Sequence, residues 1–230
     1  MNATTDARRF EWPSVFGRLR DFVETLPQKQ AAMFILADEG PGTVFQQVVS
    51  AIISVRTIEE VTLPASRRLF AAASSPADVA SLSVAEIEKL IAPATFAGAK
   101  ARDIHAIAVA ARDDFDGKLP CDARVLIAFR GVGPKVANLA VAASTDCGEP
   151  QGIPVDIHVH RVTNRWGVIA AGEPEKTRLA LEKVLPRRYF AEINRLLVPF
   201  GKFHCTAHAP RCSICPLAPE CARIGVTRHR

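Results

Sequence analysis

The sequence predicts an all-α protein. Apolar residues recur at helical spacing through most of the 230 residues, and the long alternation of Val, Ile and Thr that is typical of strands is absent. Capping signals at Thr43 and Ser83, each followed three residues later by Gln or Glu, mark two helix beginnings. Because 48% of the residues are hydrophobic, the chain is long enough for one large core or two small ones.

The predicted helices follow one another with short connections. An amphipathic first helix extends from Phe10 to Leu26 and ends before Pro27. Gly40-Pro41-Gly42 forms a turn, and the helix that begins at Thr43 is a core element that ends near Arg56. Later helices are expected at about 59–73, 76–81, 84–91, 98–113, 124–130, 134–143, 156–166, 174–185 and 188–198.

Charge and hydropathy narrow the class of protein. Lys and Arg together number 29 against 24 Asp and Glu, and the isoelectric point is near 9.0. This modest basic excess permits nucleic-acid binding without requiring it. No apolar run reaches transmembrane length, and the first residues lack the apolar core of a signal peptide. We therefore expect a soluble, cytoplasmic protein without a membrane partner.

The cysteines fall into two groups. Cys205, Cys212, Cys215 and Cys221 have the spacing C-x6-C-x2-C-x5-C, and so many thiols in one short segment indicate a metal site. The C-x2-C pair is also common in zinc sites, so the spacing alone leaves zinc and an iron–sulfur cluster open. The other two, Cys121 and Cys147, are expected as ordinary buried or partly buried thiols, since this distribution does not indicate a disulfide framework.

The stretch from Phe129 to Arg161 carries the candidate chemistry. Gly131-Val132-Gly133 joins two helices, and its glycines permit a tight turn and close approach of a phosphate to the first N–H groups of the second helix. Lys135 lies in the first turn of that helix, where the dipole and partial burial favour a neutral, nucleophilic amine; a phosphate contact is its alternative role. Asp156 stands directly before another helix, where a simple N-cap is one possible role.

These motifs together resemble the endonuclease III family of DNA glycosylases. G-V-G-P-K followed about twenty residues later by V-D-I-H-V-H-R is similar to the family's helix-hairpin-helix and Gly/Pro-Asp loop. The resemblance extends from about Phe45 to Cys221, and the cysteine spacing is similar to the family's [4Fe–4S] loop. It implies that Lys135 attacks the sugar C1′, and that Asp156 stabilises the positive charge developing on the sugar and assists proton transfer. It also favours a [4Fe–4S] cluster on the four cysteines over zinc.

The resemblance further implies an architecture of two helical lobes flanking a DNA-binding cleft. Residues 37–147 are expected to form a helical barrel lobe that carries the helix-hairpin-helix. Residues 1–36 and 148–230 are expected to form the second helical lobe, with the iron–sulfur cluster loop at 205–221.

Several DNA contacts are implied in the same way. Gly131, Val132 and Gly133 would hold phosphate, as would Lys202 and Arg211 beside the cysteine loop. Arg56 stands where the family usually carries a glutamine that fills the gap left by a flipped base, and Phe96 stands where it usually carries a leucine wedge. The alternatives are that Arg56 is a solvated helix-end arginine and that Phe96 belongs to the core.

The implied activity is that of a bifunctional DNA glycosylase and abasic-site lyase, which excises oxidised pyrimidines during base excision repair through a lysine Schiff base and β-elimination. We expect a monomer that binds duplex DNA containing damaged bases or abasic sites, in the cytoplasm and associated with the nucleoid. Two alternatives stay open. One is a mismatch-type glycosylase of the same superfamily, although those relatives generally lack this lysine. The other is a non-catalytic helix-hairpin-helix DNA-binding protein, which would not need Asp156.

Overall fold

The computed structural model describes residues 10–40 and 42–230, and every regular element in these ranges is helical, which confirms the predicted class. The helices are α1 (Trp12–Glu24), α2 (Ala32–Glu39), α3 (Val44–Ser54), α4 (Glu59–Ala72), α5 (Pro76–Ser81), α6 (Val84–Ile91), α7 (Ala97–Asp114), α8 (Ala123–Leu126), α9 (Pro134–Ala143), α10 (Ile157–Trp166), α11 (Pro174–Val184) and α12 (Glu192–Phe203). Short 3₁₀ helices occur at Arg187–Tyr189 and Cys212–Ile214. Among the described residues, no helix has the length and apolar character needed to cross a bilayer.

Three helices differ from the sequence prediction, and the first is α8, which ends at Leu126 instead of continuing to residue 130. Helix α2 was not predicted, because its sequence AMFILADE is apolar almost all round and so lacks the one-sided pattern of a surface helix. Helix α12 begins and ends later than predicted and continues through Pro199, which is buried within it. The predicted turn at Gly40–Gly42 includes Pro41, which lies outside the described residues.

The chain divides into two units. The first, here called the hairpin unit, comprises Gln30–Pro154 with Phe190–Glu192. The second, here called the cysteine unit, comprises residues 10–29 of the described part of the chain, Val155–Tyr189 and Ile193–Arg230. The hairpin unit thus begins at residue 30 and its main segment ends at residue 154, whereas the resemblance suggested bounds of 37 and 147.

Helix α3 lies at the centre of the hairpin unit. Every residue from Val44 to Ile53 is buried, and α3 packs against α2, α4, α7 and α9. The helix begins where Thr43 Oγ1 accepts a hydrogen bond from Gln46 N, as the capping signal predicted. Helix α7 adds Ile104 and Ile107 to the same apolar core. This core fixes the position of α9, which carries Lys135.

Cys121 and Cys147 form a disulfide in the hairpin unit, so their prediction as free thiols was wrong. Cys121 lies just before α8 and Cys147 lies just after α9. The two helices form a hairpin, which brings the ends of the segment to a Cα–Cα distance of 5.5 Å although 26 residues separate them. The disulfide therefore closes a loop that contains the whole helix-hairpin-helix.

The cysteine unit is assembled around aromatic contacts between distant segments. Phe16 of α1 stacks on Tyr189 with ring centroids 4.0 Å apart, and Phe22 meets Phe200 and His204 edge to face. Helix α10 contributes the buried residues Val159 and Val162. These contacts hold the segment that leads into the cysteines.

Candidate functional site

The turn between α8 and α9 is shaped by one glycine and one valine. Gly131 has a φ of +83°, which disfavours any side chain, and a Cβ there would lie 3.1 Å from Asp103 Oδ2. The Val132 side chain is 6% exposed and packs into the core, while its N–H donates to Phe129 O. A Cβ added at Gly133 would meet nothing within 4 Å. Space within the protein therefore does not require glycine at position 133.

Three backbone donors remain available at this turn. Among the described residues, the N–H groups of Gly131, Gly133 and Lys135 donate to no backbone or side-chain acceptor. All three residues are exposed, and two of the N–H groups belong to the N-cap and the first turn of α9. Free N–H groups at the positive end of a helix favour an anion such as a phosphate.

Lys135 extends from the first turn of α9. Its side chain is exposed rather than partly buried as expected, and its ammonium group has no hydrogen-bond or ion-pair partner in the described part of the chain. Pro134 begins the helix, so the lysine backbone is fixed by the α9 turn even though the side chain is free to reach outward. The amine is thus accessible to a ligand bound at the turn.

Asp156 caps α10 in the cysteine unit. Its Oδ1 accepts hydrogen bonds from His158 N at 2.9 Å and from Val159 N at 2.8 Å. Within the described ranges, no donor reaches Oδ2. The N-cap role anticipated from sequence is therefore present, and the second carboxylate oxygen remains available for chemistry.

Arg56 and Phe96 both lie in turns of the hairpin unit and both adopt left-handed backbone angles, with φ of 54° and 59°. Helix α3 ends at Ser54, so Arg56 lies two residues beyond the helix. The Phe96 residue is 61% exposed, which excludes the core alternative. Both residues are exposed to solvent.

The four predicted ligand cysteines line one cavity. Cys205, Cys212, Cys215 and Cys221 line this cavity, which is partly open to solvent, together with Arg165 and Val226. Burial raises the pKa of Cys215 to about 11 and raises the pKa values of Cys212 and Cys221. These thiols would therefore need a bound metal to hold them as thiolates.

The four sulfur atoms are not gathered around the position of a single ion. In the part of the chain that the structure describes, no three of these four sulfurs lie within 4.8 Å of one another. Tetrahedral zinc with four thiolates requires sulfurs about 3.8 Å apart. An iron–sulfur cluster holds its cysteines farther apart, because each thiolate binds a different iron. The cavity and its donor set fit that group.

Arg165 is a residue of this site that sequence reasoning missed. It is 8% exposed and donates to the carbonyl oxygens of Thr206 and Ala207, and its Nη1 lies 3.4 Å from Cys205 Sγ. Its spacing from Val162 on α10 places it on the buried face, and that was the available signal. The guanidinium orders the loop that leads to the second cysteine and offsets negative charge on the sulfur.

Lys202 and Arg211 are exposed residues of the cysteine unit, near the ends of the segment that carries Cys205. Lys202 Nζ donates to Gln28 Oε1 at 2.6 Å, so it has a partner within the protein. Arg211 is exposed, and its backbone N–H donates to His204 O. Their predicted phosphate contacts stay predictions.

Comparison with known proteins gives consistent results. A family model described as HhH-GPD superfamily base excision DNA repair protein matches residues 49–187. Endonuclease III of Thermotoga maritima is 32% identical over 177 residues, which are 77% of this chain and 82% of the relative. The endonuclease III-like protein 1 of Bos taurus is 38% identical over 173 residues, or 74% of this chain. The chain spans about half the length of the animal and plant relatives it matches.

Solved structures agree on the fold. A trapped endonuclease III–DNA covalent intermediate matches with a TM-score of 0.73 at 24% identity, covering 94% of this chain and 97% of the other. A thermostable thymine-DNA glycosylase matches with a TM-score of 0.68 at 18% identity, covering 91% and 98%. At these identities the likeness concerns the fold alone. With the family match and the sequence relatives, the chain belongs to the HhH-GPD superfamily of base excision DNA repair proteins, as a member of the endonuclease III family.

Proposed function

We propose that this protein is a bifunctional DNA glycosylase and abasic-site lyase that excises oxidised pyrimidines from duplex DNA. Lys135 carries the proposal, because it presents an exposed, unpartnered amine beside three backbone N–H groups that are free to bind a phosphate. The groups that grip the strand and the amine that reacts with its sugar thus come from one turn. Similarity to proteins named endonuclease III supports the same activity.

The proposed reaction begins when the damaged nucleotide is flipped out of the stack. The Lys135 amine attacks C1′, the bond between C1′ and the base breaks, and the base leaves with a proton. Loss of the amine proton and opening of the sugar ring give an imine. Removal of a C2′ proton then expels the 3′ phosphate, and water hydrolyses the imine to release Lys135 and an unsaturated aldehyde on the cut strand.

Asp156 supplies the negative charge in this proposal. Because Oδ1 is committed to the N-cap of α10, the orientation of the carboxylate is fixed and Oδ2 remains free. A fixed carboxylate stabilises positive charge on the sugar in the transition state without reorganising. The cap and the catalytic role are therefore compatible in one residue.

Borohydride trapping tests the nucleophile. The wild type should form a covalent adduct with a duplex that contains an oxidised pyrimidine, and Lys135→Gln should abolish the adduct while DNA binding persists. Lys118→Gln, an exposed lysine in the loop before α8, is the matched control for lost charge. An undiminished adduct with Lys135→Gln would falsify the assignment, and binding without any excision by the wild type would favour the non-catalytic alternative.

The substrate requires a separate test. A panel of duplexes, each with one lesion or mismatch, should show excision of oxidised pyrimidines in preference to mismatched adenine or thymine. Preferential excision of a mismatched base would support the mismatch-type alternative.

The proposed partner is duplex DNA with damaged bases or abasic sites, bound by a monomer. Because DNA is the substrate, we also propose a cytoplasmic, nucleoid-associated location.

We also propose that Cys205, Cys212, Cys215 and Cys221 hold a [4Fe–4S] cluster. The supporting observations are the cavity that the four cysteines share and their C-x6-C-x2-C-x5-C spacing. With a cysteine on every iron, the cluster would supply cross-linking of the loop rather than hydrolytic chemistry. Iron and acid-labile sulfide should each approach about four per chain. A colourless, folded protein with one zinc ion would contradict this assignment.

A further inference from the structure

Lys100 is a buried lysine that the proposed chemistry does not use. It lies in the first turns of α7 and is 6% exposed. Its ammonium donates to Ile53 O at 2.6 Å, Val55 O at 2.7 Å and Thr57 Oγ1 at 2.8 Å. An ammonium has three protons, so these acceptors use all of them.

The three acceptors surround Arg56. Val55 and Thr57 are its immediate neighbours in the chain, and Lys100 bonds to both. Arg56 itself is held at a φ of 54°, a backbone angle that costs free energy for any residue with a side chain. Such a conformation persists only where the surroundings impose it, and the Lys100 ammonium is the group that fixes both sides of this one.

The same group also reaches the turn that carries Phe96. Thr57 Oγ1 accepts a second hydrogen bond, from Thr95 N at 3.2 Å, directly before Phe96. The ammonium thus reaches this turn through Thr57, whereas the backbone N–H of Lys100, which donates to Phe96 O at 3.1 Å, belongs to the first turn of α7 and does not involve the side chain. Phe96 is the second residue here with a left-handed angle, at φ 59°. Lys100 and Thr57 therefore connect the two turns that bear the proposed plug and wedge.

The position of this lysine combines a cost and a gain. Burial lowers the pKa of Lys100 to about 8, which means that the charged form is costly to bury. An apolar side chain would avoid that cost but would leave the three acceptors without this donor. Only a side chain with several donors can make these hydrogen bonds, and they hold the turns that carry Arg56 and Phe96.

We propose that Lys100 is a positioning residue, which holds Arg56 and Phe96 at a fixed separation so that they enter the duplex together and Arg56 discriminates the base opposite the lesion. This inference rests on the proposed function, because it concerns how the flipped-out state is stabilised. Guanidinium recognition of an orphaned base requires a fixed geometry, since its two donors must both align with acceptors.

A double-mutant cycle tests the inference. Single-turnover excision of one oxidised pyrimidine is measured opposite each of the four bases, for wild type, Lys100→Met, Arg56→Gln and the double variant. The measure of selectivity is the ratio of the excision rates opposite the best and the worst base. Lys100→Met should reduce this ratio about fivefold or more, and the double variant should be no less selective than Arg56→Gln alone. Lys89→Met, an exposed lysine on α6, is the control and should keep the wild-type ratio.

A second measurement separates positioning from general damage. Adduct formation on a pre-formed abasic site should change less than about twofold in Lys100→Met, because this substrate has no base to excise and tests Lys135 chemistry alone. If Lys100→Met does not fold, Thr57→Val replaces it, with Thr57→Ser as the conservative variant. Valine removes the bridging hydroxyl and should lose selectivity, whereas serine keeps the hydroxyl and should retain it.

The outcomes distinguish the inference from the proposed function. An active wild type whose opposite-base ratio is unchanged by Lys100→Met, or by Thr57→Val, overturns the inference alone. Equal excision opposite all four bases by the wild type also overturns the inference alone. So does a double variant whose loss of selectivity equals the product of the losses in the two single variants. A wild type that excises no lesion contradicts the proposed function and removes the basis of the inference with it.

Discussion

The α3-centred core and the cysteine segment are ordered in opposite ways. In the hairpin unit, ten consecutive residues of α3 are buried and apolar side chains from several helices surround them. From Cys205 to Arg230, by contrast, only Pro210 and Leu217 are buried. The second region depends on Arg165, on backbone bonds such as Arg230 N to Pro210 O, and in our proposal on a metal cluster. Apolar packing therefore fixes the helix that carries the proposed nucleophile, whereas polar contacts and proposed metal ligands fix the segment beside the proposed phosphate contacts.

The largest expected effect comes from removing one cluster ligand. Cys215→Ser should prevent stable cluster binding, and residues 205–230 should then lose protection from proteolysis and hydrogen exchange, because little apolar burial remains to order them. Protection in α3 and α7 should persist. Ser213→Ala, an exposed change in the same loop, is the control. Equal loss of protection in both units would remove the contrast between them.

Truncation of a core side chain should destabilise the protein less than loss of the cluster, and it should act on the hairpin unit. Ile104→Ala removes a fully buried side chain from the hairpin-unit core and should lower the free energy of unfolding by about 2–5 kcal/mol. Urea denaturation measures the loss. Ile58→Ala, at a residue that is 65% exposed, should change it by less than about 0.5 kcal/mol. Similar losses of unfolding free energy in the two variants would mean that apolar burial in this core is not the main source of stability of the hairpin unit.

Reduction of the Cys121–Cys147 disulfide should have a smaller effect. Closing a loop of 26 residues lowers the entropy of the unfolded chain, and its loss should cost at most about 3.5 kcal/mol. Cys121→Ser should show this difference from the oxidised wild type, and the difference should vanish when both proteins are measured with a reductant. A difference that survives reduction would place the effect in the folded contacts of Cys121 instead.

The smallest predicted effect concerns Arg211. Arg211→Ala should weaken binding to every duplex alike and reduce the slope of log affinity against log salt by roughly one, as expected for one lost phosphate contact. Titrations at several salt concentrations, with and without a lesion, measure this. Arg228→Ala, another exposed arginine of the cysteine unit, is the comparison. If the loss depends on the lesion, Arg211 does more than contact phosphate.

Features that depend on residues close together in the chain could be predicted from the sequence, whereas contacts between distant segments could not. The hairpin turn and the cysteine spacing are each encoded within a few residues, and so are most helix caps, including that of Asp156. The disulfide, Lys100 and Arg165 depend on which distant segments meet. Lys100 bonds to residues more than 40 positions away, and the same is true of Arg165 with its loop. Helical spacing is consistent with an inward-facing position for Lys100 and Arg165, but only the fold shows what they reach.

The way the cysteine unit is assembled determines when it can fold during synthesis of the chain. Arg18 of α1 donates to Pro216 O, and these residues are 198 positions apart. At ribosomal rates of 5–20 residues per second, α1 waits roughly 10 to 40 s for that partner. The long segment Gln30–Pro154 is complete well before then. The nascent chain can therefore finish the apolar hairpin unit first, while α1 still exposes Phe16 and Leu19 and the last cysteine has not been made.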